Sequence, residues 1–132
     1  MIVIIGSICV FILIQFLKDN LNTPANFLEW RQLTWDDFQG SANLFTKWDA
    51  GINSNVYVKF DSTTLKFQAY AAMNNKLSWK KPWLLNRADN YLLNHEQYHF
   101  NITEYFARKL NKTIEKENLY TEEEVLYELN SI

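Results

Sequence analysis

His95-Glu96-Gln97-Tyr98-His99 sets two imidazoles four residues apart with a carboxylate between them. On a helix that spacing stacks both rings one turn apart on one face, where each nitrogen can approach a single Zn²⁺ at about 2.0–2.1 Å. The intervening carboxylate is displaced around the helix, so Glu96 is placed to hold a water rather than to ligate. The chemistry implied is peptide hydrolysis. Zinc lowers the pKa of a water and polarises the scissile carbonyl, and Glu96 acts as general base and then delivers the proton to the leaving amine. The bland alternative is a buried, hydrogen-bonded pair of histidines beside a structural acid, and it needs several matched polar partners.

The element that positions these groups is a long helix, expected from about Asn86 to Asn111. At ~100° per residue, Ala88, Leu92, His95, Glu96, His99, Ile102, Phe106 and Leu110 fall within about one third of its circumference. Leu93, Phe100 and Ala107 form an adjoining strip, and Arg87, Asn90, Asn94, Gln97, Asn101 and Arg108 form the polar side. Burial of His95, His99, Ile102 and Phe106 together is therefore expected, and the metal reading is tied to it.

Ahead of the helix, Ile52, Val56, Val58 and Phe60 lie among polar residues, and Asp61-Ser62-Thr63-Thr64 marks a turn. Leu65, Phe67, Ala69, Ala71 and Met73 then alternate with Lys66, Gln68, Tyr70 and Ala72, so a hairpin with one buried face is expected. The strand from Leu65 to Met73 has a second reading as a sheet edge that pairs with an extended substrate, against an ordinary core strand. Pro82 excludes a helix through Ser78-Trp79-Lys80-Lys81. Thr121-Glu122-Glu123-Glu124 has capping-box spacing and opens a short helix carrying Val125, Leu129 and Ile132 on one side. Trp30, Trp35, Trp79 and Trp83 serve either core packing or a binding groove. Asn101-Ile102-Thr103 and Asn111-Lys112-Thr113 match the glycosylation pattern, as chance matches often do.

Ile2 to Leu17 is an almost continuous apolar run, broken only by Gly6, Ser7 and Gln15. As a helix it would cover about 24 Å at ~1.5 Å per residue, at the short end of a membrane span. Residues 1–18 are read as a signal peptide or membrane anchor, 19–26 as a linker and 27–132 as one domain. An uncleaved anchor is favoured, because no basic residue precedes the run and Pro24 sits awkwardly in the best cleavage site, Thr23-Pro24-Ala25. Ile8 before Cys9 argues against a lipoprotein signal. The expected location is the cell envelope, with the domain membrane-anchored, periplasmic or secreted.

Composition narrows the partners. Of the 132 residues, 48% are hydrophobic and 16% aromatic, which sets disorder aside. Thirteen Lys and Arg against fifteen Asp and Glu, without a dense basic cluster, exclude a nucleic-acid binder. The single cysteine, Cys9, lies in the apolar run, so the domain is expected to hold together without a disulfide.

Three stretches carry a resemblance: Leu33-Thr34-Trp35-Asp36-Asp37-Phe38-Gln39-Gly40, Ser78-Trp79 with Pro82, and Leu92-Leu93-Asn94-His95-Glu96-Gln97-Tyr98-His99-Phe100-Asn101-Ile102-Thr103-Glu104. In this order they resemble a bacterial family of zinc-dependent proteases labelled DUF922, over most of the chain from Trp30 to Leu110. The resemblance implies a zincin-like α+β fold, a small mainly antiparallel sheet on the long helix. It also implies metallopeptidase activity on a peptide or protein, with His95 and His99 as zinc ligands and Glu96 as catalytic base. Two departures stand out. Related sequences usually have glycine where Tyr98 stands, and the Tyr-Asp-x-x-Thr-x-His-Gly segment into which family members typically continue does not occur in these 132 residues. With only two histidines in the chain, a third ligand would have to be acidic or come from elsewhere. Glu104 lies about 140° around the helix from His99 and suits a pair with Arg108. Glu122, Glu123, Glu124 and Glu128 are candidates that spacing does not separate. The alternative to an enzyme is a truncated or non-catalytic zincin-like envelope domain for binding or scaffolding.

Overall fold

The computed structural model describes residues 26–86 and 90–131. The apolar run Ile2–Leu17, the linker up to Ala25, and Ala88 on the expected helix face lie outside the described residues. Among those described, no helix is long and apolar enough to cross a membrane.

The fold is α+β. Among the described residues, five strands, β1 (Phe27–Glu29), β2 (Ala50–Gly51), β3 (Ser54–Asp61), β4 (Lys66–Asn74) and β5 (Trp79–Lys80), are followed by helices α1 (Asn90–Glu117) and α2 (Glu122–Ser131). One sheet has the order β1-β4-β3 and the other pairs β2 with β5, both antiparallel. The predicted hairpin is β3–β4. Its register sets Val56 opposite Ala71, Val58 opposite Ala69 and Phe60 opposite Phe67, so one face is apolar. Leu65, expected to begin the second strand, instead closes the turn at φ 55 and is exposed. The Asp61 carboxylate holds that turn, accepting from the Thr63 N–H at 2.8 Å and the Thr64 hydroxyl at 2.8 Å.

β4 lies between β1 and β3, so its reading as a substrate-pairing edge is overturned at Ala72–Asn74, where β1 pairs, and at Ala69, where the Asn111 side chain takes the backbone groups. The reason is the short β1, which sequence gave as the mere start of the domain and which pairs Phe27–Glu29 with Ala72–Asn74. The free edge next to the helix belongs to β3.

α1 packs across the apolar face of β3 and β4, with Phe100, Ala107, Leu110 and Ile114 against Val58, Ala69, Ala71 and Met73. Phe100 is wholly buried, and truncating such a phenyl to alanine costs about 3–5 kcal/mol. α2 is capped as expected: Thr121 Oγ1 accepts from the Glu124 N–H and the Glu124 carboxylate accepts from the Thr121 N–H. Val125 is buried and Leu129 packs on the core; Ile132 lies outside the described residues. α1 extends beyond its expected end at Asn111, because Ile114 still reaches the core.

Leu33 and Phe38 enter the core from the segment before β2. Asp37, also buried, accepts from the Thr34 N–H at 2.8 Å and pairs with Arg31 at 2.6 Å, which folds Trp35–Asp37 into a 3-10 turn. Gly40 then passes so close to the chain at Lys76–Ser78 that a Cβ would lie 2.7 Å from the Lys76 carbonyl oxygen.

Candidate metal centre

The buried stripe of α1 runs through Glu96, Gln97, Phe100, Ala107, Leu110 and Ile114. His95 and His99 are exposed, Ile102 is 54% exposed, and Phe106 is half-buried. The expected burial of that face is overturned with both imidazoles on the solvent side, which counts against the metal reading and leaves it only the geometry of the pair. The helix is rotated by roughly 90° from the predicted setting, toward the strip of Leu93, Phe100 and Ala107. Gln97 is the cause. Assigned to the polar side, it is instead buried, because its carboxamide accepts from the Leu33 N–H at 2.7 Å and donates to the Arg31 carbonyl and to Asn101. The buried Leu33 N–H, which water does not reach, is satisfied by this side chain.

The rotation leaves the histidines facing outward but does not separate them. Their Nε2 atoms are 3.1 Å apart, with the rings at 84° to one another. Two ligand nitrogens on one tetrahedral zinc, at ~2.0–2.1 Å from it, stand about 3.3 Å apart. Two lone pairs cannot meet at that distance unaided, so either a shared proton or a cation belongs between them. The pair therefore fits zinc, and it fits a neutral hydrogen-bonded couple as well.

Glu96 is buried beside them, where its Oε2 accepts from the Ile52 N–H at 3.0 Å. Burial pushes its carboxyl above the usual carboxylate range, and the Ile52 bond and the positive character of His99 and His95 act in the opposite sense. Ile52 is held in turn by its neighbour. The Asn53 carbonyl accepts from the Asn74 N–H at 2.8 Å, and the Asn53 N–H donates to the Ser78 hydroxyl oxygen at 2.9 Å. The Glu96 carboxylate is thus fixed by the crossing between β2 and β3.

None of the candidate third ligands joins the pair. Glu104 forms the expected ion pair with Arg108 at 2.7 Å. Glu124 is spent on the α2 cap, and Glu122 has a buried Oε1 without a hydrogen-bond partner at that same end of the helix. Among the described residues, no group of three His, Cys, Asp or Glu side chains is placed to hold a metal.

Next to His99, the free edge of β3 forms a groove of about 410 Å³ with α1 and α2, lined by Ser54, Asn55, Val56, Ile102, Thr103, Phe106 and Leu129. The Ser54 and Thr103 hydroxyls bridge its floor at 2.8 Å. The exposed Ile102 that the core does not use is accounted for here. Of the four tryptophans weighed for a groove, Trp35 packs on the core, Trp79 is half-buried against Gly51, and Trp30 and Trp83 are 40% and 45% exposed. Both glycosylation matches have their amides engaged, Asn101 with Trp30 and Gln97, and Asn111 with Ala69.

In comparisons with known proteins, no family model matches the chain, and neither a curated protein nor a solved structure does.

Proposed function

We propose that the chain is a zincin-like, DUF922-type zinc metallopeptidase domain held at the cell envelope by Ile2–Leu17. The observation that carries this reading is the convergence of His95 and His99 Nε2 to 3.1 Å with the buried Glu96 carboxylate beside them. Zinc, bound there, would supply a Lewis acid for the scissile carbonyl. His95 and His99 hold the ion. Glu96, buried and held by the Ile52 N–H, takes and returns the proton. An extended peptide fits the β3 edge, where main-chain pairing leaves side chains for the Ile102 and Phe106 wall.

A second reading has its own observation: two protein ligands hold zinc less firmly than the usual three. It is a zincin-like binding or scaffold domain without catalysis. Zinc titration against a chromophoric chelator, run on the wild type, His95→Ala and Glu96→Gln, separates the two. The enzyme reading expects stoichiometric binding that Glu96→Gln keeps and His95→Ala weakens by more than about 100-fold, as loss of a direct ligand exceeds loss of its support. It also expects peptide hydrolysis that Glu96→Gln abolishes. Zinc binding with no hydrolysis favours the scaffold, and no zinc binding removes the enzyme.

A further inference from the structure

We infer that the end of the domain carrying the 41–49 loop is a docking surface for an anionic lipid bilayer, an inference that rests on the anchorage part of the reading above. The loop presents its apolar residues outward. Phe45 is 99% exposed, Trp48 62% and Leu44 56%, and Leu77 on the adjoining turn is 60% exposed. Yet the loop is firmly built. The Lys81 ammonium, itself buried, donates to the Thr46 carbonyl at 2.6 Å and pairs with Asp49 at 3.3 Å, and the Asn43 side chain accepts from the Phe45 N–H. Lys81 is spent on this support, while Lys47, over the Trp48 ring, and Lys76, on the turn that carries Leu77, remain at the surface. Aromatic and aliphatic tips flanked by lysines match the chemistry of the membrane interface, where rings sit among headgroups and amines meet phosphates.

Chain entry selects a bilayer over other occupants. Residues 1–25 contain the apolar run and lead into Asn26, whose carbonyl accepts from the Asn75 N–H at 2.8 Å. The Asn75 carbonyl accepts from Gln39, and the Gly40 N–H donates to Ser78, so the chain enters beside the turn bearing Lys76 and Leu77 and beside the root of the loop. Residues 18–25 span at most about 28 Å when extended, at ~3.3–3.6 Å each. A bilayer holding Ile2–Leu17 therefore lies within about 28 Å of the chain entry, beside the root of the loop that carries Phe45 and Trp48. The β3–β4 turn is at the other end of the hairpin, about 24 Å away at ~3.4 Å per residue.

The test uses the full chain with Cys9→Ser, reconstituted into vesicles of phosphatidylglycerol and phosphatidylcholine. An environment-sensitive dye is attached at Phe45→Cys or, as the distal control, at Ser62→Cys, and brominated acyl chains serve as quencher. Docking predicts co-flotation with the vesicles and strong quenching at position 45 with little at 62. Adding Lys47→Glu and Lys76→Glu should reduce the docked fraction, on the order of tenfold or more in its equilibrium constant. Co-flotation with equal, weak quenching at both positions overturns docking and leaves anchorage standing. Failure to float overturns both. A dye at position 45 that becomes shielded from aqueous iodide as protein concentration rises, without lipid, identifies a second copy as the occupant and overturns the bilayer.

Discussion

Asn111 acts as a strand toward Ala69. Its side-chain amide donates to the Ala69 carbonyl at 2.8 Å, and its oxygen accepts from the Ala69 N–H at 2.7 Å, on the side of β4 that β1 is too short to cover. The pair closes an open sheet edge and ties it to α1 in the same stroke. Asn111→Asp keeps the acceptor but turns a carboxylate toward the Ala69 carbonyl. A loss of about 1–3 kcal/mol at neutral pH is expected. The introduced acid should titrate above its unfolded value, since only its protonated form donates. The deficit is therefore complete above that folded-state pKa and fades as pH falls toward about 3.9. Denaturant unfolding at neutral and acid pH checks this, and a deficit independent of pH would contradict it.

Gln97 joins the loop at Leu33 to α1, so Gln97→Ala leaves a buried N–H without a partner. The expected cost is about 1–3 kcal/mol. For a domain of this size that lowers Tm by roughly 4–8 °C per kcal/mol. Gln97→Glu retains an acceptor for Leu33 while losing the donor to Arg31 and Asn101, and should fall between the two. Thermal unfolding of the three proteins gives the order, and an unchanged Tm in Gln97→Ala would show that the loop does not depend on this bond.

The pH response of the hairpin turn follows from Asp61, whose carboxyl is held below the usual range chiefly by the Thr64 hydroxyl and the Thr63 N–H. A depressed folded-state pKa contributes stability above the unfolded value, and that contribution is lost as pH falls through the folded value. Asp61→Asn should therefore lower Tm at neutral pH, with the gap to wild type closing in acid. Melting curves across that range decide the matter, and a gap that widens in acid would reverse the assignment.

Gly40 is required by the close approach of its backbone to Lys76 and Ser78. Gly40→Ala places a methyl 2.7 Å and 2.9 Å from two carbonyl oxygens, neither of which is a flexible side-chain end. Overpacking of this kind costs about 1–3 kcal/mol. Chemical denaturation should show a lower midpoint with an unchanged slope, and a wild-type midpoint would mean that the two segments part at no cost.

Much of the scaffold was legible because it rests on local periodicity. Val56, Val58, Ala69 and Ala71 alternate as a half-buried hairpin must, and Thr121 with Glu124 closes the cap that its spacing announces. The histidine pair was legible for the same reason, since i and i+4 fix the rings whatever the helix packs against. The rotation of α1 was not. A wheel weighted by hydropathy sends Gln97 to solvent and Ile102 to the core, whereas unmet backbone donors draw Gln97 inward and the β3 groove takes Ile102. Nor did the sequence show that Phe27–Glu29, placed at the start of the domain, would pair as a strand along Ala72–Asn74.

Glu96, Ile52, Asn53, Asn74 and the contact between Asn75 and Asn26 form one short succession of bonds from the Glu96 carboxylate to the point where the chain enters the domain. With Ile2–Leu17 in a bilayer as proposed, that succession acts as a short leash. The site then samples a thin layer next to the membrane, and its encounters become a search in two dimensions. The local concentration of any substrate sharing that surface is set by the leash length and not by the volume of the compartment. Such a site can work with weak intrinsic affinity, as a shallow groove beside two exposed imidazoles would give, because tethering replaces the tight binding that a freely diffusing enzyme needs.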